Sequence, residues 1–336
     1  MTFSRRTFLV HTAALAATAA SPALRAQRAA RAATTAFGWI NNVQHAGYWI
    51  ALERGYFTAE GLDAKHIQGG PNAPSPLATL AAGKAELAHS NWLPFLDAVK
   101  QGNDFVIIGS NFPISPLAVL SRADKPILKV QDLVGAKILA QGPNERTALD
   151  ATLALNKLPT NYQFVPAGFS PEPLLAKQGD GYTCFVTNQP LVLERMGQKA
   201  GKDFHVVTFD AMGFKNAATL ITVPRASLQK DRAMYVAYMR ALVRGWMENE
   251  KDPAVAAKLV TSKYGADLGL DYEQQLRQNQ AQIPLAKASS RGLFYLDKDR
   301  IAGMFDGARA TGRTGLPTPE QAIDMSVLED AFKGLK

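Results

Sequence analysis

Short apolar runs alternate with amphipathic patterns along most of the chain, and this alternation limits the fold more than any other feature. "TAFGWI" reads as a strand, "HAGYWIALERGYFTAEG" as a helix ending at Gly55 or Gly61, and "LDAKHIQ" as a second strand. "PSPLATLAAGKA" is a helix stopped by Gly83, followed by "ELAHSNW" as strand, "LPFLDAVKQG" as helix and "DFVIIGSNF" as a fully buried strand. Strands separated by helices form sheets covered by helices, so the predicted class is α/β. Each predicted strand ends in polar or aromatic residues: Trp39, Asn41 and Asn42; Gly69 and Gly70; Ser90, Asn91 and Trp92; Ser110, Asn111 and Phe112. In open α/β sheets ligands bind beyond the carboxyl ends of the strands.

A second unit of the same kind follows. "LAVLSRADKPI" reads as a strand leaving the first unit, "VQDLVGAKILAQ" as a turn and a strand, and "NERTALDATLALNKL" as a helix with Asn144 at its cap and Glu145 in its first turn. "YQFVPAG", "PEPLLAKQGD", "YTCFVTNQP" and "LVLERMGQKAG" continue the alternation, and "FHVVTFDAMGF" and "NAATLITVPRASL" read as strands leading back. From Gln229 onward the pattern is almost wholly helical. The predicted arrangement is two-lobed: residues 34–120 and 221–336 form lobe 1, residues 121–220 form lobe 2, and two crossings join them across a cleft suited to a small molecule.

Residues 1–33 read as an export signal. "SRRTFL" with Arg5 and Arg6 precedes a short apolar run to Ala20, then Ser21, Pro22 and small residues, with cleavage expected after Ala26 or as late as Ala33. The apolar run is too short for a membrane span, which needs about 20 residues, and the arginine pair suits the twin-arginine route. Five arginines, Arg5, Arg6, Arg25, Arg28 and Arg31, and no acid fall in this segment, so the formal charge of +8 drops to +3 without it. A charge that mild and dispersed argues against nucleic acid as a partner. Cys184 is the single cysteine, so there is neither an internal disulfide nor a cysteine metal cluster, and no two histidines lie at metal-ligand spacing.

Three stretches carry a family resemblance. "WINNVQHAGYWIALERGYFTAEGLDA" resembles the opening of periplasmic solute-binding proteins of the branch related to thiamine-pyrimidine synthases, a superfamily that also binds sulfonates, nitrate and taurine. "LAAGKAELAHSNW" and "KVQDLVGAKI" match its next elements, and "DGYTCFVTNQPLVLERMG" resembles the "TNEP" segment of members that bind pyrimidine precursors of thiamine or riboflavin. The resemblance implies a type II two-lobed periplasmic binding protein, without cofactor and monomeric. It would close on a heteroaromatic ligand and pass it to the permease and ATPase of an ABC importer. Riboflavin, aromatic acids, sulfonates and nitrate are the alternatives.

Stacking rings and a few amides are what such a ligand needs. Trp39 and Trp92 are the candidate stacking faces, and Asn42, His45, Tyr48, Ser90 and Asn91 the candidate polar contacts of lobe 1. Asn144, Glu145, Thr187, Asn188 and Gln189 are the candidates of lobe 2. Each has a plainer reading: both tryptophans as core anchors, His45 as a loop cap, and Asn188-Gln189-Pro190 as a strand-to-helix turn. Gln189 stands where the family often has Glu, and an amide donates as well as accepts. The enzymatic branch resembles this chain in fold, but its pyridoxal phosphate lysine would fall near Ser90, its histidine near Pro94 and its cysteine cluster at "DAMGFKNAAT". None of those residues is present, so the resemblance implies binding rather than catalysis. Nor does the sequence hold a G-x-S-x-G elbow, an H-E-x-x-H pair or a phosphate loop.

Overall fold

A computed structural model describes residues 30–70 and 72–335 of the chain. The first part runs β1 (Arg31–Ala36), α1 (Ala46–Glu53), α2 (Tyr56–Ala59), β2 (Leu62–Ile67), α3 (Pro76–Ala81), β3 (Leu87–Ser90), α4 (Trp92–Lys100) and β4 (Phe105–Phe112). The middle comprises β5 (Leu117–Arg122), β6 (Lys137–Ala140), α5 (Pro143–Leu155), β7 (Gln163–Pro166), α6 (Glu172–Leu175), β8 (Gly181–Phe185), α7 (Gln189–Arg195) and β9 (Phe204–Thr208). The chain then returns through β10 (Ala218–Pro224) to α8 (Arg225–Lys230), α9 (Arg232–Lys251), α10 (Pro253–Leu259), α11 (Tyr272–Ala286), α12 (Lys298–Ala310), α13 (Pro319–Ala322) and α14 (Ser326–Lys333).

These strands make two sheets of matching plan, ordered β2-β1-β3-β10-β4 and β7-β6-β8-β5-β9. In each, three strands are parallel, and the strand arriving from the other lobe, β10 or β5, pairs antiparallel with both its neighbours. The expected α/β, two-lobed architecture is thus present. The crossings differ from the expected boundaries. β5 pairs only within the second sheet and β10 only within the first, so the chain changes lobe between Phe112 and Leu117 and between Thr208 and Ala218, not at residues 120 and 220. An apolar run shows that a strand forms but not which sheet receives it.

Most of the predicted export segment, residues 1–29, lies outside the described residues. Its predicted end does not: Arg31, Ala32 and Ala33 pair with Leu62, Asp63 and Ala64 in the first sheet, and the Arg31 guanidinium lies 3.0 Å from Asp231. Cleavage as late as Ala33 would remove half of β1, whereas cleavage after Ala26 leaves it whole. Among the described residues no helix is long and apolar enough to cross a membrane.

The lobe 1 core joins β1, β2 and β4 to α1, α9 and α14. α1 and α9 cross closely because Gly47 and Gly245 face each other, and a Cβ on Gly245 would lie 1.9 Å from the Gly47 carbonyl oxygen. Strand β4 is buried along its whole length although it is an edge strand. The C-terminal segment covers it, with the Asp324 amide donating to the Ile107 carbonyl at 2.8 Å. The helical tail is not confined to lobe 1 as expected. α12 packs on α5 and on Trp92 of α4, so it fastens the two lobes on the side where the chain crosses between them.

Candidate functional site

A cavity of about 460 Å³ opens between the carboxyl ends of the two sheets. Lobe 1 supplies Phe37, Gly38 and Trp39 after β1, Gly69 and Gly70 after β2, the first turn of α3, and His89, Ser90 and Asn91 at the end of β3. Lobe 2 supplies Gln141 to Glu145, where β6 turns into α5, and Cys184, Phe185, Asn188 and Gln189, where β8 turns into α7. Gln44, Thr219 and Gln278 complete the polar lining. A close backbone approach shapes the glycine turn, for a Cβ on Gly69 would lie 2.3 Å from the Phe37 carbonyl oxygen.

The predicted residues divide. Trp39, Ser90, Asn91, Asn144, Glu145, Asn188 and Gln189 line the cavity. Asn42, His45, Tyr48, Trp92 and Thr187 do not. Trp92 does not end a strand; it opens α4, and that single step of register turns its ring into the core. There it lies edge-on to Phe305 at 4.9 Å and its Nε1–H donates to the Met304 carbonyl at 2.7 Å. His45 stacks flat on Phe37 at 3.8 Å, and Tyr48 meets the same ring edge-on at 5.1 Å, so both support the wall from behind. The Asn42 carboxamide accepts from the Gln44 amide at 2.9 Å and caps the turn before α1. Thr187 is buried in the turn between β8 and α7. Asn144 is not a cap: Gly142 holds that position and Pro143 opens α5.

Sequence reasoning did not single out Gln44, His89, Gln141 or Gln278, which also line the cavity. Cys184, expected as a small buried hydrophobe, is buried and also reaches the cavity wall. The lining carboxamides are already tied to the scaffold. Gln189 Oε1 accepts from the Phe185 amide at 3.0 Å, Gln141 exchanges bonds with Thr183, and Gln44 Nε2 donates to Thr219 Oγ1 at 3.2 Å. Thr219 sits at φ 54°, a conformation a β-branched residue adopts only under constraint, at a cost of about 1–3 kcal/mol. Such strain gathers at ligand sites.

The lobes also touch around the cavity. The Gln274 carboxamide of α11 donates to Asn188 Oδ1 of lobe 2 at 2.6 Å, Arg195 lies 3.1 Å from Asp271, and Arg277 pairs with Glu194. At the mouth, Trp39 meets Phe169 edge-to-face at 5.2 Å. These contacts describe a closed arrangement.

The electrostatics are unusual for their sparseness. Among the described residues Glu145 is the only Asp or Glu in the lining, and no Lys or Arg reaches the wall. Burial pushes the Glu145 carboxyl above the ordinary carboxylate range, while Asn144 and nearby backbone N–H groups pull the other way. Burial also drives His89 down to about 3, so its imidazole is neutral at physiological pH. Among the described residues no cluster of three or more His, Cys, Asp or Glu side chains is arranged to hold a metal ion.

Comparison with known proteins is consistent with this geometry. The family model described as NMT1/THI5 like matches residues 42–256. The chain is 24% identical over 297 residues to the riboflavin-binding protein RibY of Chloroflexus aurantiacus, a match covering 86% of this chain and 83% of that one. Among solved structures, the alkanesulfonate-binding protein SsuA from Xanthomonas axonopodis pv. citri, bound to MOPS, superposes with a TM-score of 0.62 at 18% identity, covering 88% of this chain and 97% of that one. The ligand-binding component of an ABC-type import system from Staphylococcus aureus gives 0.65 at 8% identity, with 90% and 99% covered. At these identities the structures establish a shared periplasmic-binding-protein fold.

Proposed function

The chain belongs to the NMT1/THI5-like family, and from that premise we propose that it is a periplasmic solute-binding protein rather than an enzyme. It captures a small heteroaromatic compound of the kind exemplified by the pyrimidine precursor of thiamine and delivers it to the permease and ATPase of an ABC importer. The observation that carries this reading is the cavity itself: rings and carboxamides converge on it from both lobes, and no Lys or Arg among the described residues reaches its wall. Flat faces with a few fixed amides suit a neutral heterocycle, whereas an anion would want cationic partners.

The proposed action follows from the contacts on the two lobes. Trp39 offers a ring face, and Asn91 from lobe 1 and Asn188 and Gln189 from lobe 2 offer amides. A ligand touching both lobes binds the closed form better than the open one, and only that difference shifts the balance toward closure. Export by the twin-arginine route is part of the proposal and rests on "SRRTFL".

Riboflavin is a second reading with its own support. The cavity of about 460 Å³ equals the liquid volume of roughly 15 waters at about 30 Å³ each, more than one small ring fills, and RibY is a riboflavin-binding protein by name. A thermal-shift panel on the mature protein tests both. The pyrimidine of thiamine or riboflavin is expected to raise Tm, by an amount that grows with ligand concentration. Stabilisation by sulfonates or nitrate alone would overturn the heteroaromatic reading.

A further inference from the structure

We propose that Gln274 and Gln275 of α11, neither of which lines the cavity, are positioning residues: through one chain of carboxamides they hold Asn188 and Gln278 so that both turn N–H donors toward the ligand. This rests on the reading of the cavity as the ligand site, not on which compound fills it.

Helix α11 buries Gln274, Gln275, Gln278, Asn279 and Gln282 along one face, although glutamine is mostly an exposed residue. A buried carboxamide destabilises the fold unless it finds partners. Here the partners form a chain whose sense is set at its start. The Val43 backbone N–H can only donate, and it lies 3.1 Å from Gln275 Oε1, so Gln275 turns its oxygen to the turn before α1 and its nitrogen away. That nitrogen lies 2.6 Å from Gln274 Oε1. With its oxygen engaged, Gln274 offers its nitrogen to Asn188 Oδ1 at 2.6 Å and points it at Gln278 Oε1 at 3.5 Å. Each step leaves the next amide one orientation. Val43 is held from its other side as well, because Gln282 Nε2 donates to its carbonyl.

The effect reaches the cavity wall, which Asn188 lines from lobe 2 and Gln278 from lobe 1. With their oxygens turned to Gln274, their nitrogens are the ends left for a ligand. Among the described residues neither Asn188 Nδ2 nor Gln278 Nε2 has a hydrogen-bond partner, and each keeps accessible surface.

Gln189 gives an independent observation, since a separate bond fixes it by the same logic. Its Oε1 accepts from the Phe185 amide at 3.0 Å, which leaves Nε2 as its free end. Donors from Asn188, Gln189 and Gln278 thus gather where α7 meets α11, and a ligand atom placed there must accept. A carboxamide free to rotate loses that freedom when it binds, whereas one held from behind is already oriented.

Neutron diffraction from crystals of the perdeuterated protein reads the sense of the chain directly, because it separates a deuterated nitrogen from a carbonyl oxygen. The expected map places a Gln275 Nε2 deuteron toward Gln274 Oε1 and the deuterons of Asn188 Nδ2 and Gln278 Nε2 toward the cavity. Either oxygen turned to the cavity overturns the proposal, whether or not any probe binds. The second arm is Gln274→Met, which keeps the bulk and removes the donors. Calorimetric titration with riboflavin and with the hydroxymethyl-aminopyrimidine of thiamine should show about a 3- to 10-fold loss for whichever probe the wild type binds, the equivalent of one neutral hydrogen bond. Equal affinity in a variant shown to be folded by circular dichroism overturns the positioning role. A wild type that binds neither probe removes the heteroaromatic reading instead; in that case, or if the variant fails to fold, the neutron map decides.

Discussion

The two tryptophans show how much one residue of register decides. Trp39 follows β1, is partly exposed and faces the cavity; Trp92 opens α4 and is fully buried against Phe95 and Phe305. Their alanine variants should therefore fail in opposite ways. Trp92→Ala is expected to lower unfolding stability by about 3–5 kcal/mol, the range for emptying a large aromatic site, with its Nε1–H bond to Met304 also lost. Trp39→Ala should leave stability nearly unchanged and weaken ligand binding by about 1–3 kcal/mol, the range for a base on an aromatic face. Urea unfolding and titration calorimetry on the same two variants separate the roles. A Trp92→Ala protein that is fully stable yet binds poorly would reverse the assignment.

At the scale of elements, strand ends were legible and helix surfaces were not. The residues after β1, β3, β6 and β8 could be placed beside a cleft because an α/β sheet presents the carboxyl ends of its strands together; Trp39 and Asn91 followed from that, whereas Gln189 needed the family resemblance as well. Gln44 and Gln278 could not be found this way, since polar residues within helical stretches read as solvated faces until a second lobe covers them. Nor could the pairing of α11 with α7 be read, because Arg277 with Glu194 and Arg195 with Asp271 join residues far apart in sequence. Those pairs join lobe 1 to lobe 2. They are partly exposed, where a pair contributes about 0–1 kcal/mol. The double variant Glu194→Gln, Asp271→Asn should thus weaken ligand affinity no more than about thirtyfold at low salt, and the difference should fade near 1 M salt, where the screening length falls to about 3 Å. An affinity gap that persists undiminished at high salt would mean that these side chains act otherwise than as a charge latch.

For the whole molecule, the buried histidines of lobe 1 set how stability depends on pH. Phe37 is surrounded by His45, His66 and His89, at centroid distances of 3.8, 5.5 and 5.0 Å. Burial lowers all three, His89 down to about 3, and for His45 the neighbouring His89 and His66 act in the same direction. The unfolded chain binds a proton at each histidine once the pH falls below about 6.5, while folded His89 stays neutral down to about 3. Between those values the unfolded state holds more protons, so stability falls as pH falls. For His89 alone, lowering the pH from 7 to 5 should cost about 2 kcal/mol. Carboxylates such as Asp180 and Glu248, held below their ordinary range partly by Lys125, Arg54 and Tyr56, add their own loss only at lower pH, near and below their unfolded values of about 4. The window from 7 to 5 therefore excludes these carboxylates, while the Glu145 carboxyl, raised by burial, acts in the opposite sense and is common to wild type and variant. Chemical denaturation of ligand-free protein at the two pH values should show a stability loss that is smaller by about 2 kcal/mol in His89→Gln, whose side chain does not titrate. If wild type and variant lose the same amount, His89 is reached by solvent or protonated in the folded state.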